Sequence, residues 1–206
     1  MKKNDLMLAI AETGYNVYFG AQKHFATYHV VEKFPGWISL ISFAISLYAL
    51  FVTELNNNYI SALMLCLGVS TMYASGYNHE KEKYNQCGVA LTELTHRLRA
   101  LYYDCKGKND TDDLTSIEAD WKIIQGDALK TGITKQIFGS NWLAHYYLFW
   151  QCQIDWIDEQ KKFRFLRDKV PLSFFLVVLI VLGVGAWHLA PYSFKAAVAC
   201  LNQLQK

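Results

Sequence analysis

Two uncharged apolar runs, separated by five residues, constrain this 206-residue chain more than any other feature. The first covers residues 36–53 and the second residues 59–77, and the connector ELNNN between them is long enough only to reverse the chain. Each run has about the length that an α-helix needs to cross a hydrocarbon core of roughly 30 Å. Because backbone amides in lipid must be satisfied within their own segment, the runs predict an antiparallel transmembrane hairpin.

The predicted fold class is therefore an all-α integral membrane protein. Around the hairpin at 36–77 the sequence predicts a pre-membrane amphipathic helix at 1–35, a cytosolic helical region at 78–170, a third transmembrane helix at 171–191 and a tail at 192–206. Pro35 and Gly36 predict a break or bend before the first span. The first helix suits either the headgroup region or a place on the soluble bundle, and the sequence does not choose between them.

Small and hydroxyl-bearing residues recur at helical spacing in both runs. We call this set the small-residue stripe, and it consists of Ser39, Ser42, Ser46, Thr53, Ser61, Gly68 and Ser75. Such residues let helices approach closely in lipid and form interhelical hydrogen bonds. The stripe therefore predicts either a packing seam or the lining of a water-filled pathway, and both hold if the chain forms a homo-oligomer.

The distribution of basic residues predicts the orientation. The connector has no Lys or Arg, whereas most of the chain's 20 lie between residues 78 and 170. The positive-inside rule then places the N-terminus and residues 78–170 in the cytoplasm, and the third span places the C-terminus outside. A basic cluster before the third run is expected to meet anionic headgroups. It consists of Lys161, Lys162, Arg164, Arg167 and Lys169.

The cytosolic region predicts a helical bundle. Apolar residues alternate at steps of three and four along a heptad pattern of Tyr84, Cys87, Leu91, Leu94, Leu98, Leu101 and Cys105. This pattern requires partners, either within the chain or from neighbouring subunits. We expect the second span to continue as one helix over 59–105. A further helix at 114–130 would open with a capping box of Thr115 and Glu118. A long helix would cover 135–168, with an aromatic face of Phe138, Trp142, Tyr146, Phe149, Trp150, Ile154 and Ile157.

The sequence contains no motif for a catalytic, nucleotide-cradling or metal-binding site. We expect no enzymatic activity, no cofactor and no metal, and the net charge of +2 argues against direct nucleic-acid binding. Arg97, Arg99 and Lys122 are candidates for binding a signal molecule. They fit a solvated helix face equally well.

Two stretches carry a family resemblance. AETGYNVYFGAQKHFATYHVVEKFPGWISLISFAISLYALF and HEKEKYNQCGVALTELTHRLRALY resemble the SLATT domain family over roughly residues 7–103. The downstream helices and third span look like an extension found in some of its subfamilies. The resemblance implies a bacterial membrane effector of anti-phage conflict systems, in which oligomeric pores depolarise or permeabilise the inner membrane and kill or arrest the infected cell.

The resemblance also implies partners. Besides the lipid bilayer and other copies of the chain, these are a nucleotide second messenger, a nucleotidyltransferase or a reverse transcriptase. It transfers no catalytic or ligand-binding residue. An alternative is a membrane anchor or scaffold that recruits a cytosolic partner and conducts nothing.

Overall fold

The computed structural model describes residues 1–52 and 57–186, and the prediction of an all-helical chain is confirmed there, since these residues contain no strand. The helices are α1 (Lys3–Ala49), α2 (Asn58–Ser75), α3 (Lys81–Gly107), α4 (Thr115–Lys130), α5 (Ser140–Tyr146), α6 (Asp155–Lys161), α7 (Phe165–Asp168) and α8 (Leu172–Ala186). A 3₁₀ turn at Asn78–Glu80 precedes α3, and a π-helical turn at Tyr147–Gln151 continues α5. The chain divides into two compact units, Met1–Phe163 and a second that begins at Arg164.

Helix α1 passes through Pro35, so the break expected before the first span does not occur. Proline removes the N–H that would bond the carbonyl four residues earlier, but helices in lipid tolerate this loss where neighbouring groups satisfy the freed carbonyl. One turn later the Ser39 hydroxyl donates to the Pro35 carbonyl at 2.9 Å. Residues 3–34 and residues 36–49 of the first apolar run therefore lie on one helix.

The predicted continuous helix over 59–105 is interrupted at residues 76–80. Asn57 caps the start of α2, and its side chain accepts from the amides of Tyr59 and Ile60 at 3.0 and 3.1 Å. It ends at Ser75, after which the Gly76 amide bonds to the carbonyls of Met72 and Tyr73. Glycine weakens helix continuation, and the Asn78–Glu80 turn separates α2 from α3.

Helices α1 and α3 pack antiparallel and form the centre of the bundle. The Cys105 thiol lies 3.9 Å from the Lys3 carbonyl at one end, and Lys81 pairs with Glu32 at the other. In the heptad, Tyr84, Leu91, Leu94, Leu98 and Cys105 are buried, while Cys87 and Leu101 are half-buried. The heptad therefore finds its partners within the chain.

The N-terminal part of α1 belongs to this core rather than to a membrane surface. Leu6, Ile10 and Ala21 are fully buried. The aromatic side chains of Tyr15 and Phe25, which would also suit a headgroup region, pack against the same core. Of the two locations that the sequence left open, the structure selects the bundle.

The predicted capping box of α4 is not formed. The Asp113 carboxylate instead accepts from the Thr115 amide and hydroxyl at 2.9 and 2.6 Å. The Glu118 carboxylate accepts a hydrogen bond from the Lys122 ammonium, one turn later, at 2.7 Å. The carboxylate two residues before Thr115 thus supplies the cap that was assigned to Thr115.

The predicted long helix over 135–168 is divided into short pieces. Gly139 adopts φ 84° before α5, residues 152–154 are not helical, and Lys162 adopts φ 50° after α6. Only part of the predicted aromatic face is core, since Ile157 is buried whereas Phe138 is 83% exposed. The predicted aromatic face assumed one continuous helix, and helical spacing no longer relates residues that lie on opposite sides of these breaks.

The unit that begins at Arg164 contains α7 and α8. The Asp168 carboxylate caps α7 by accepting from the Arg164 amide at 2.8 Å and also pairs with the Arg167 guanidinium at 2.9 Å. Helix α8 is the described part of the predicted third span, and it is apolar and uncharged. The remainder of the predicted third span, from 187, and the tail at 192–206 lie outside the described residues.

Candidate functional site: the apolar helix pair

The apolar helix pair consists of residues 36–49 of α1 together with α2. Within the described chain, two helical stretches are long and apolar enough to cross a membrane, Lys3–Ala49 and Asn58–Gly107. In the most apolar 18 residues of each stretch, only 11% and 6% are buried, so these segments are not core helices of a soluble bundle. Leu65 and Met72 are 70% and 73% exposed. An exposed apolar surface of this kind is typical of a segment that contacts lipid or another apolar partner.

One face of each helix packs against the other. On α1 the less exposed positions are Ile38, Ser42, Ile45 and Ala49, at steps of four, three and four. On α2 they are Ile60, Met64, Leu67, Ser70, Thr71 and Ala74. The pair thus meets mainly through branched and linear apolar side chains, and the spacing is that of ordinary helix packing.

The structure divides the small-residue stripe. Ser42 alone lies on the packed face, and Thr53 is outside the described residues. The other five members are exposed on the outside of the pair, namely Ser39, Ser46, Ser61, Gly68 and Ser75. The stripe is therefore not the seam within one hairpin, and most of it faces whatever surrounds the pair.

Several stripe hydroxyls are satisfied within their own helix. Ser61 donates to the Asn57 carbonyl at 3.2 Å, and Ser75 donates to the Thr71 carbonyl at 2.9 Å. Such bonds to the preceding turn let a hydroxyl lie in lipid without another donor or acceptor. A Cβ at Gly68 would meet nothing within 4 Å. The outward surface can thus accept a close neighbour.

The three signal-binding candidates do not converge. Lys122 pairs with Glu118 on its own helix, and the Arg99 guanidinium lies 5.9 Å from the centroid of the Tyr103 ring. Arg97 is exposed on α3, two residues from Arg99 and hence on a different face. The structure assembles no common anion site from these side chains.

The first half of the predicted basic cluster is remote from the apolar pair. The Lys161 ammonium lies 3.5 Å from the Glu12 carboxylate and 5.5 Å from the centroid of the Tyr15 ring. Helix α1 rises roughly 36 Å between Glu12 and Gly36. Lys161 and the adjoining Lys162 therefore lie at the far end of the bundle, which argues against the predicted headgroup contact. Arg164, Arg167 and Lys169 belong to the second unit.

A cavity that the sequence did not indicate lies between α1, α3 and α4. It has a volume of about 280 Å³, and its lining residues are Thr13, Asn16, Val17, Gly20, His24, Leu91, Gln125, Ala128, Leu129 and Gly132. None of these carries a formal charge at neutral pH. Among the described residues no group of three or more His, Cys, Asp or Glu side chains could hold a metal ion.

One histidine of the bundle, His24, is buried, and two others are half-buried. Burial, with a smaller effect from the Lys23 charge, lowers the pKa of His24 from 6.5 to about 4. Burial also lowers the pKa of His29, again with help from a nearby lysine, and that of His145. The Nδ1 atom of His24 lies 3.1 Å from the Gln136 amide nitrogen, an arrangement that fits the neutral ring as acceptor.

We expect the bundle to lose stability as the pH falls from about 6.5 to about 4. In this window the unfolded chain binds a proton at residue 24 while folded His24 stays neutral, so acid favours unfolding by up to about 3 kcal/mol. Thermal unfolding in detergent at a series of pH values measures this slope. His24→Gln should flatten it and His96→Gln, an exposed control, should not. Equal slopes in both variants would contradict the role of His24.

Comparison with protein families agrees with this architecture. The profile of SMODS and SLOG-associating 2TM effector domain 6 matches residues 1–181, well beyond residue 103, where the sequence resemblance was placed to end. No curated protein and no solved structure matches the chain. The profile covers both helices of the apolar pair and the whole α1–α6 bundle. The chain belongs to the SMODS and SLOG-associating 2TM effector family, the SLATT family, and is a membrane protein of that family.

Proposed function

We propose that this chain is the pore-forming effector of a bacterial anti-phage defence system. Copies associate through their apolar helix pairs in the inner membrane, and a trigger converts the assembly into a state that depolarises or permeabilises that membrane. The observation that carries the proposal is the outward surface of the pair, which is uncharged and exposes five small residues of the stripe. Close packing of helices in lipid uses this type of surface.

In this proposal the bundle lies in the cytoplasm with the N-terminus, and the chain itself has no enzymatic activity. The trigger is a nucleotide second messenger or a partner protein such as a nucleotidyltransferase or reverse transcriptase. A trigger can shift the equilibrium only if it binds the conducting and resting states with different affinity. Arg97, Arg99 and Lys122 do not converge. We therefore favour a trigger that contacts a broad part of the bundle surface over one that binds a site made by these three residues.

A non-conducting scaffold is the second candidate, and one observation favours it. The hydroxyls of Ser39, Ser61 and Ser75 donate to carbonyls of the preceding helical turn. None of the three therefore needs water as a hydrogen-bond partner. A scaffold would recruit its partner to the bilayer without changing the membrane potential. A potential-sensitive dye in triggered cells distinguishes the two functions directly.

Gly68→Leu is expected to lower triggered depolarisation about tenfold, because a larger side chain blocks close helix approach in lipid and overpacking costs about 1–3 kcal/mol. A Cβ at this position would meet nothing within 4 Å, so the single copy should insert and fold normally while association between copies is blocked. Membrane potential and chemical cross-linking are measured in bacterial cells that express the chain with its neighbouring genes.

Val69→Leu is the matched control, since Val69 adjoins Gly68 and is 55% exposed. It should retain depolarisation and cross-linked species. Full depolarisation by correctly inserted Gly68→Leu would exclude this face from the assembly, and no depolarisation by the triggered wild-type chain would favour the scaffold.

A further inference from the structure

The non-helical segment at residues 131–139, between α4 and α5, is tied to α1 through one side chain. The Gln136 carboxamide accepts from the Thr27 hydroxyl at 2.5 Å. Its nitrogen lies 3.1 Å from His24 Nδ1 and donates to the Ile133 carbonyl at 2.8 Å. The oxygen and both N–H groups of Gln136 are thus used, and two of the three partners belong to α1.

The same segment is held by three tyrosines around the α2–α3 junction. The Tyr84 hydroxyl donates to the Lys135 carbonyl at 2.7 Å, and the Tyr77 hydroxyl donates to the Gln136 carbonyl at 3.4 Å. The Phe138 amide donates to the Tyr73 hydroxyl at 3.3 Å. These tyrosines come from the start of α3, the junction itself and the end of α2, so the segment bridges all three.

A small apolar cluster lies beneath these bonds. It is separate from the main core, and its buried members are Val31, Ala74, Tyr77, Tyr84 and Ile137. Ile137 is 3% exposed, and the Lys135 ammonium lies 4.6 Å from the centroid of the Tyr77 ring. The segment therefore makes both polar and apolar contacts at a place where α1, α2 and α3 come together.

The junction that the segment bridges is also where the helical path is interrupted. Between Ser75 and Lys81 the chain passes through Gly76 and a 3₁₀ turn, a short stretch that can absorb a change in direction. Apart from the packing of α2 and α3 against α1, the segment provides the contacts that hold this stretch in place. With the segment in place, the end of α2 is fixed to the bundle.

We propose that residues 131–139 form a latch that fixes the angle between α2 and α3 and so holds the apolar helix pair in its resting arrangement. The regulatory role rests on the proposed effector function. Displacement of Gln136 from Thr27 and His24 frees the junction, and α2 can then turn relative to the bundle. The latch couples an event on α4 or α5, which flank the segment, to the membrane helices.

The test is hydrogen exchange of the full-length protein in detergent, read at the amides of residues 74–84. Gln136→Ala removes three bonds and is expected to speed exchange there about tenfold or more, since each bond is worth about 1 kcal/mol. Tyr84→Phe removes one bond without changing the fold and should speed exchange by about fivefold. Asp120→Asn, at an exposed position of α4, should change nothing. Unchanged exchange in Tyr84→Phe and in folded Gln136→Ala overturns the latch.

The same variants are then placed in vesicles of phosphatidylethanolamine and phosphatidylglycerol, and ion leakage is measured. Faster exchange together with raised leakage supports both the latch and the pore. If exchange is faster but neither the variants nor triggered wild-type protein leak ions, the latch still fixes the angle between α2 and α3, and the pore is refuted. Leakage from triggered wild-type protein with unchanged exchange in the variants refutes the latch and retains the pore.

Discussion

Replacing Gly14 with alanine is expected to lower the free energy of unfolding of the bundle by about 2–3 kcal/mol. A Cβ at this position would overlap the indole of Trp156, with Cζ2 at 3.0 Å, Cζ3 at 3.1 Å and Cη2 closer still. The indole cannot turn aside because it is 2% exposed and its ring centroid lies 5.5 Å from that of Tyr102. The close approach of α1 and α6 therefore depends on the absence of a side chain at position 14.

Gly20→Ala is the matched control on the same helix. Its Cβ would lie 3.6 Å from Leu91 Cδ1, an ordinary contact, and alanine favours a helix by up to about 1 kcal/mol over glycine. In thermal unfolding of the detergent-solubilised protein, Gly14→Ala should lose about 5–10 °C and Gly20→Ala should lose nothing. Adding Trp156→Phe to Gly14→Ala should recover part of the loss. Equal melting temperatures for the two alanine variants would contradict the packing described here.

Leu65→Arg is expected to prevent stable membrane insertion. Leu65 lies near the middle of α2 on the uncharged outer face and is 70% exposed. An arginine at the centre of a transmembrane helix costs about 3 kcal/mol, and the favourable contribution of the leucine is lost as well. The fraction of the protein that remains in membranes after an alkaline carbonate wash should fall more than tenfold.

Ile123→Arg on α4 is the control, because Ile123 is 56% exposed on the bundle rather than on the helix pair. It should leave the membrane fraction unchanged. Retention of Leu65→Arg at the wild-type level would mean that this face of α2 does not contact hydrocarbon.

The sequence alone predicted those helices whose position and buried face depend on their own residues. The absence of charge in 36–53 and 59–77 sufficed to predict the two apolar helices, and the heptad from Tyr84 to Cys105 correctly indicated a helix that buries one face. Pro35 misled because proline removes one backbone hydrogen bond but does not always end a helix in an apolar segment. The Asp113 cap was missed because its register differs from that of the expected capping box.

Long-range contacts could not be predicted in this way. Gln136 has no unusual neighbours in sequence, yet it meets Thr27 across 109 residues and His24 across 112. The small-residue stripe had the right spacing for a seam, but only the fold shows that Ser42 faces inward while Gly68 faces outward. Helical spacing identifies which residues share a face and leaves open what that face contacts.

The arrangement of the helix pair across the membrane is tested most directly by cysteine labelling from one side. In a chain whose five native cysteines are replaced by serine, Asn58→Cys marks the connector end of α2 and Ile123→Cys marks the bundle. A membrane-impermeant maleimide applied to intact spheroplasts should label Asn58→Cys, whereas Ile123→Cys should react only after lysis. Protection of both positions until lysis, or labelling of both before it, would contradict a hairpin that crosses the membrane with its bundle in the cytoplasm.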